Sequence, residues 1–262
     1  MKVLPRRRRT VEAKTGTMTV VEHLEELRHR LVVGLIAVAA GAVLGWFLFD
    51  PFLTAVRKPF CEFVTTHPSV APPTGCDLVF SGPLDAMMVK LKTVAYIGLV
   101  IAMPVVLFQL WAFIVPGLTA KERKWSVPFV VVSFALFLLG AAFAYVTLPK
   151  GLNFLLGFAG EGVVPLITID RYVGFVTLVT LAFGVSFLFP VLLVFLELIG
   201  LLTPQMLSKY RRWAILGISI FAAVITPSSD PYTMLAMMIP MYLFYEAAII
   251  IGRFLKRRTR TT

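Results

Sequence analysis

An all-α, membrane-spanning fold is predicted by three features of this sequence. The chain has 262 residues, 58% of them hydrophobic and only 15% charged, where a soluble domain is about 45–50% apolar and about 25% charged. Its mean hydropathy is +0.87. The apolar residues gather into bilayer-length segments, and the basic residues fall in the gaps between them. Lipid must solvate that excess, so a single transmembrane domain over 19–252 is favoured over the one or two soluble domains that length alone permits. A net charge of +11 would suggest nucleic acid in a soluble protein. No stacking or groove-reading module accompanies the charge, and nucleic-acid binding is set aside.

Residues 1–18 are a basic arm. Its run Arg6–Arg9 stands more than 20 residues before the first apolar stretch, with no small-residue cleavage site close behind. It reads as a positive anchor rather than a cleavable leader. Residues 19–30 predict an amphipathic helix on the membrane surface, because Val20, Leu24, Leu27 and Leu31 recur at helical spacing and Thr19 with Glu22 has capping-box spacing.

A span needs about 20 apolar residues at about 1.5 Å each. Six segments answer to this: 31–49, 87–113, 127–148, 172–202, 213–225 and 234–252. The fifth has only 13 residues, a reach of about 20 Å against about 30 Å of hydrocarbon, which predicts a thinned bilayer or tight protein packing. The turn Thr226–Thr233 is too short to leave the surface, so segments five and six form a hairpin, spanning or re-entrant. Residues 253–262 are a basic tail.

Orientation follows from the flanking charges. With six spans, 19 basic residues in the N-terminal region, the 114–126 and 203–212 loops and the tail share one side, against Arg57, Lys58, Lys150 and Arg171 on the other. The positive-inside rule puts both termini in the cytoplasm. The outward loop 50–83 holds Cys61 and Cys76. An oxidising compartment allows them to pair, which would remove about 3 kcal/mol of unfolded-state entropy, but spacing alone leaves paired and free thiols both open. Pro104, Pro128, Pro190 and Pro240 fall within the spans and are expected to bend them, allowing a concave shape.

Two cytoplasmic stretches carry the candidate chemistry. In the first, Glu26 and Arg30 stand four apart, as do Glu25 and His29; taken alone these are solvated helix pairs. In the second, Pro116-Gly117 makes a turn and Thr119 with Glu122 repeats the capping-box spacing, so that Glu122 is either a ligand or merely the start of the third span. An arginine pair is permanently charged and presents forked donors, which a carboxylate accepts bidentately. Two separated carboxylates on a basic surface are therefore local attractors for such a ligand.

The strings His23-Leu-Glu-Glu-Leu-Arg-His-Arg30, Gln109-Leu-Trp-Ala-Phe113, Phe113-x-x-Pro-Gly-Leu-x-x-x-Glu-Arg123, Ala142-Phe-Ala-Tyr145, Phe183-Gly-Val-Ser-Phe187, Thr226-Pro-Ser-Ser-Asp-Pro231 and Ile239-Pro-Met-Tyr242 with Glu246 follow one another over about 19–255. In that order they resemble TatC, the large subunit of the twin-arginine translocase. The resemblance implies a glove-like receptor of six helices in the cytoplasmic (inner) membrane of a prokaryote, binding twin-arginine signal peptides of folded proteins. It implies Glu26 and Glu122 as receivers of the arginine pair, Arg28 in the same patch, and Phe113 with its loop helping to hold the peptide. Pro59, Tyr145, Asp230 and Glu246 match further family positions. The partners implied are the single-span subunits TatA and TatB and further copies of this chain, with transport driven by the proton-motive force and with no cofactor, metal or enzymatic activity.

One departure stands out. Many family members carry an intramembrane Glu where this chain has Leu188; Glu197 lies nine residues later, on another face and depth. Glu197 is expected either to meet a polar group of a partner helix or to snorkel to the interface, and Glu246 to match its family position or pack against backbone donors. The rival readings are a secondary transporter, which predicts internal repeats and midplane charges, and a membrane enzyme, which needs convergent catalytic groups. No phosphate-binding loop, metal-ligand cluster or nucleophile–base arrangement is legible, and His23, His29 and His67 are scattered over both sides.

Overall fold

Long apolar stretches become long helices because a helix satisfies its own backbone, the one requirement lipid imposes. The computed structural model describes residues 20–66, 75–114, 126–157, 166–226 and 230–258. In chain order the helices are α1 Val20–Phe47, α2 Phe49–Thr66, α3 Asp85–Ile114, α4 Ser126–Gly157, α5 Ile169–Ser186, α6 Phe189–Leu198, α7 Pro204–Lys209, α8 Arg211–Ile225 and α9 Pro231–Arg258. The architecture is all-helical, with one isolated parallel bridge, Val79–Thr168, among the described residues. Five stretches are long and apolar enough to cross a membrane: Val21–Phe47, Asp85–Phe113, Val127–Gly157, Ile169–Leu198 and Pro231–Phe254. Helix α8, with 15 residues, is shorter than these and packs beside α9.

Several expectations change in detail. The amphipathic helix 19–30 and the span 31–49 are one unbroken helix, so α1 does not turn flat before its apolar part. No Pro or Gly interrupts 20–33, and nothing local forces a bend there. Part of the outward loop is itself a helix, α2, whose apolar face Val56, Pro59, Phe60, Phe63 and Val64 is buried. The fourth span breaks at Phe187–Leu188 into α5 and α6, because Pro190 has no N–H to continue the ladder. Pro128 sits in the first turn of α4, where the backbone donors have no intrahelical partner to lose, so it imposes no bend. Pro149, outside the sequence-based span, lies inside α4.

The main core joins α2, α4, α5 and α9 around the fully buried Phe60, Phe183, Met237, Met241 and Ile249. Helices α1 and α3 form an antiparallel pair in tight contact, and α3 also packs on α4 and α5. A Cβ added at Gly41 would stand 2.5 Å from the carbonyl oxygen of Gly98, and one at Gly98 would stand 2.5 Å from the amide nitrogen of Ala42. Only glycine permits that approach, since the obstructing atoms are backbone.

Candidate functional site

At the start of α1 and the end of α3, polar and aromatic side chains tie the two helices together. The His23 ring stacks on Phe113, with centroids 4.4 Å apart and planes 19° apart. One turn after Glu26, Arg30 reaches back to its Oε1 through Nε at 3.0 Å and also through Nη2. The third guanidinium nitrogen, Nη1, donates across to Gln109 Oε1 at 3.3 Å. The pair is not fully solvated: the side chains of Arg30 and Glu26 are only 21% and 19% exposed. The other carboxylate oxygen, Glu26 Oε2, is enclosed and has no hydrogen-bond donor among the described residues. A buried acceptor without a donor is costly, and for an ionised group more so. Glu26 is therefore held in place by one guanidinium and keeps capacity for another.

The structure brings Glu26 and Phe113 to the same end of the α1–α3 pair. Arg28 is two residues from Glu26, about 200° round the helix, and is exposed on another face. Glu122, with the turn before it and residues 115–125 generally, lies outside the described residues, as do the basic arm 1–18 and His67. The residues that sequence reasoning left out of the site are His23, Arg30 and Gln109. Their signal was present in the i, i+4 spacing of Glu26 with Arg30 and in the Gln109–Phe113 string, but the α1–α3 register that unites them is a tertiary fact.

The remaining family-matched positions have structural work. Pro59 and Tyr145 act together. Pro59 has no N–H to give the carbonyl of Ala55, four residues back, and the Tyr145 hydroxyl donates to that carbonyl at 2.8 Å. The Tyr172 hydroxyl donates to the neighbouring carbonyl of Val56 at 3.0 Å. Asp230 is buried just ahead of α9, where its Oδ1 accepts from the Thr233 amide at 2.7 Å and its Oδ2 from the Thr233 hydroxyl. That is an N-cap. Glu246 does not pack on backbone donors: it accepts from Arg211 at 2.7 Å and from the Tyr242 hydroxyl at 3.1 Å, joining α8 to α9.

Glu197 does not snorkel outward. Both its carboxylate oxygens are enclosed, without a donor among the described residues, and pressed against Gly252 of α9, where an added Cβ would stand 2.1 Å from Oε2. Leu188, at the position of the usual carboxylate, sits at the α5–α6 break and packs beside Met103, Leu107 and Phe137. On the far end of the molecule Cys61 and Cys76 are both free. Burial, and then the adjoining Cys76 thiol, pushes the Cys61 thiol up to about 11. Arg57, one turn before Cys61, bonds the carbonyl of Cys76 at 3.4 Å and Asp77 at 2.6 Å, which fixes the second cysteine beside the first. Among the described residues no three His, Cys, Asp or Glu side chains are grouped to hold a metal.

Comparisons with known proteins converge. The family model for Sec-independent protein translocase protein (TatC) matches residues 22–240. A protein of that name from Frankia casuarinae is 44% identical over 257 residues, covering 97% of this chain and 70% of its own length. Its namesake from Aquifex aeolicus is 33% identical over 246 residues, covering 93% of this chain and 98% of the other. A crystal structure described as the twin arginine translocase receptor TatC superposes with a TM-score of 0.70 at 33% identity, over 89% of this chain and 99% of that one.

Proposed function

The chain belongs to the TatC family of Sec-independent protein translocase proteins, and from that premise we propose that the Glu26 end of α1 and α3 is where it receives signal peptides carrying an arginine pair. Its work is protein transport in a membrane. The observation that carries the site is the state of the Glu26 carboxylate, with one oxygen held by Arg30 and the other enclosed and without a donor among the described residues. The carboxylate already accepts a guanidinium through two nitrogens, so its surroundings suit that group. An incoming arginine displaces Arg30 from the carboxylate, or reaches the enclosed oxygen once the side chains around it move, and forked donors make either contact specific; a lysine ammonium has no fork.

Glu122, which follows α3 in the sequence, is the second receiver in this reading, and the exposed Arg28 repels cationic ligands that do not reach the carboxylates. The chain crosses the membrane six times, α8 included, with both termini in the cytoplasm of a prokaryote. It assembles with further copies of itself and with the single-span TatA and TatB subunits, and the proton-motive force drives export. Cys61 and Cys76 then face an oxidising compartment, in which neighbouring thiols can pair.

Site-specific photocrosslinking at Glu26 and at Glu122 to a radiolabelled twin-arginine peptide tests this. The control peptide carries two lysines in place of the arginines. Adducts that require the arginines are expected at both positions; equal adducts with both peptides, or none, in folded protein would remove the assignment.

A further inference from the structure

The chain has only 2 cysteines, and the fold brings them together. Cys61 stands one turn after Arg57 on α2, a helix anchored in the core by Val56, Phe60, Phe63 and Val64. Three features fix Cys76 beside it. Gly75 takes a φ of +61°, a left-handed conformation that glycine adopts without steric cost, so the chain turns sharply just ahead of Cys76. Arg57 then holds the Cys76 carbonyl at 3.4 Å and Asp77 at 2.6 Å. Three residues after Cys76, the Val79 carbonyl accepts from the Ile169 amide at 3.0 Å, which fastens the segment to the start of α5. The side chain of Cys76 hydrogen-bonds that of Cys61, so the two sulfurs are in contact, the arrangement from which a disulfide closes. Both cysteines are partly exposed, which leaves them open to a small reagent. No group of three His, Cys, Asp or Glu side chains surrounds them among the described residues, so oxidation rather than metal binding is the chemistry the pair offers.

Resting on the outward placement of this loop under the reading above, we propose that Cys61 and Cys76 are joined by a disulfide in the working protein, a covalent staple between α2 and the segment that leads into α3. The oxidant is a disulfide donor of the outer compartment, a thiol oxidoreductase or a small disulfide. One cysteine thiolate attacks the donor's S–S bond and forms a mixed disulfide, releasing the first donor sulfur as a thiol. The second cysteine then displaces the other donor sulfur. Two S–H bonds of this chain and one S–S bond of the donor break; one S–S bond here and two S–H bonds in the donor form. The Arg57 guanidinium favours the Cys61 thiolate that this exchange needs. The thiols described above are the reduced state, and an alkylating reagent reaches Cys61 only after the bond is reduced. The staple reinforces contacts that already exist: it locks covalently what Arg57 holds by hydrogen bonds.

The test begins in cells that express the full chain. They are quenched in acid, free thiols are blocked with N-ethylmaleimide, and a mass-tagged maleimide is added with or without prior reduction. Two tags per monomer after reduction and none before it are expected, and Cys61→Ser is expected to take no tag after reduction because its one thiol is blocked at the first step. In detergent, the reduced protein is expected to pair fully with oxidised glutathione, and reduction is expected to lower the melting temperature of the wild type by about 5–10 °C while leaving Cys61→Ser unchanged. A disulfide that links two copies, or thiols that do not pair in detergent, would overturn the assignment through its geometry. Thiols that are free in cells yet pair readily in detergent would overturn it through the topology it rests on. A pair that forms without raising the melting temperature would overturn the staple.

Discussion

The two ends of this molecule treat their hydrogen-bond acceptors differently. At the α2 end, carbonyls of the outer helix and loop are given donors from elsewhere: Tyr145 serves Ala55, Tyr172 serves Val56, and the Ile169 amide serves Val79 at 3.0 Å. There α1 and α3 also touch glycine to glycine. At the opposite end α1 and α3 part, and carboxylate oxygens of Glu26 and Glu197 are enclosed without donors among the described residues. Served carbonyls and backbone contact make one end a scaffold, although the buried Thr93 hydroxyl there has no partner among the described residues. In the proposed reading, the enclosed carboxylate of Glu26 makes the other end the place where the peptide binds. A buried acceptor left without a donor costs stability, and the proposed function puts that of Glu26 to use.

The largest effect that sharpens the contrast is steric. Gly41→Leu meets backbone that cannot give way and is expected to destabilise by about 3 kcal/mol, read as thermal unfolding in detergent and lowered membrane yield. Gly34→Ala on the same face is expected to be neutral or stabilising by up to about 1 kcal/mol, since it replaces a helical glycine in open space. Equal losses at the two positions would break the contrast.

A double-mutant cycle at the closed end comes next. Tyr145→Phe strands the Ala55 carbonyl and is expected to cost about 1–3 kcal/mol. In a Pro59→Ala background the helix ladder can serve that carbonyl, and the same change should cost less by about 1 kcal/mol. Additive losses would separate the proline from the tyrosine. The smallest effect is chemical. With its thiol pushed up to about 11, Cys61 stays protonated at neutral pH. Its alkylation should be slow at pH 8 and quicken about tenfold per pH unit until about pH 11, because the thiolate is the nucleophile. Fast, pH-independent modification would show that the closed end is open there.

The same contrast explains what was legible in the sequence. The apolar stretches became helices α1, α3, α4 and α9 because lipid leaves little alternative, while the local spacing of the His23–Arg30 string read as solvated helix pairs and only its resemblance to the family pointed to the start of α1. Helix α2 was hidden in a loop because its short amphipathic pattern is broken by Pro59, whose missing donor is made good only by Tyr145, 86 residues later. Gln109 could not be assigned to Arg30 without the register of two antiparallel helices. That register rests on a contact between Gly41 and Gly98, residues that carry no pattern of their own. Glu197 looked able to reach the interface, and only the space beside Gly252 shows why it turns inward.

The central claim is that the Glu26 carboxylate selects for arginine. The most direct measurement is the equilibrium affinity of a twin-arginine peptide and its twin-lysine counterpart for the nanodisc-embedded chain, as wild type and as Glu26→Gln. The account predicts that wild type prefers arginine and that Glu26→Gln loses about 10–100-fold in arginine-peptide affinity, the worth of one charged hydrogen bond, with little change for lysine. A preference for arginine that survives Glu26→Gln intact would contradict it.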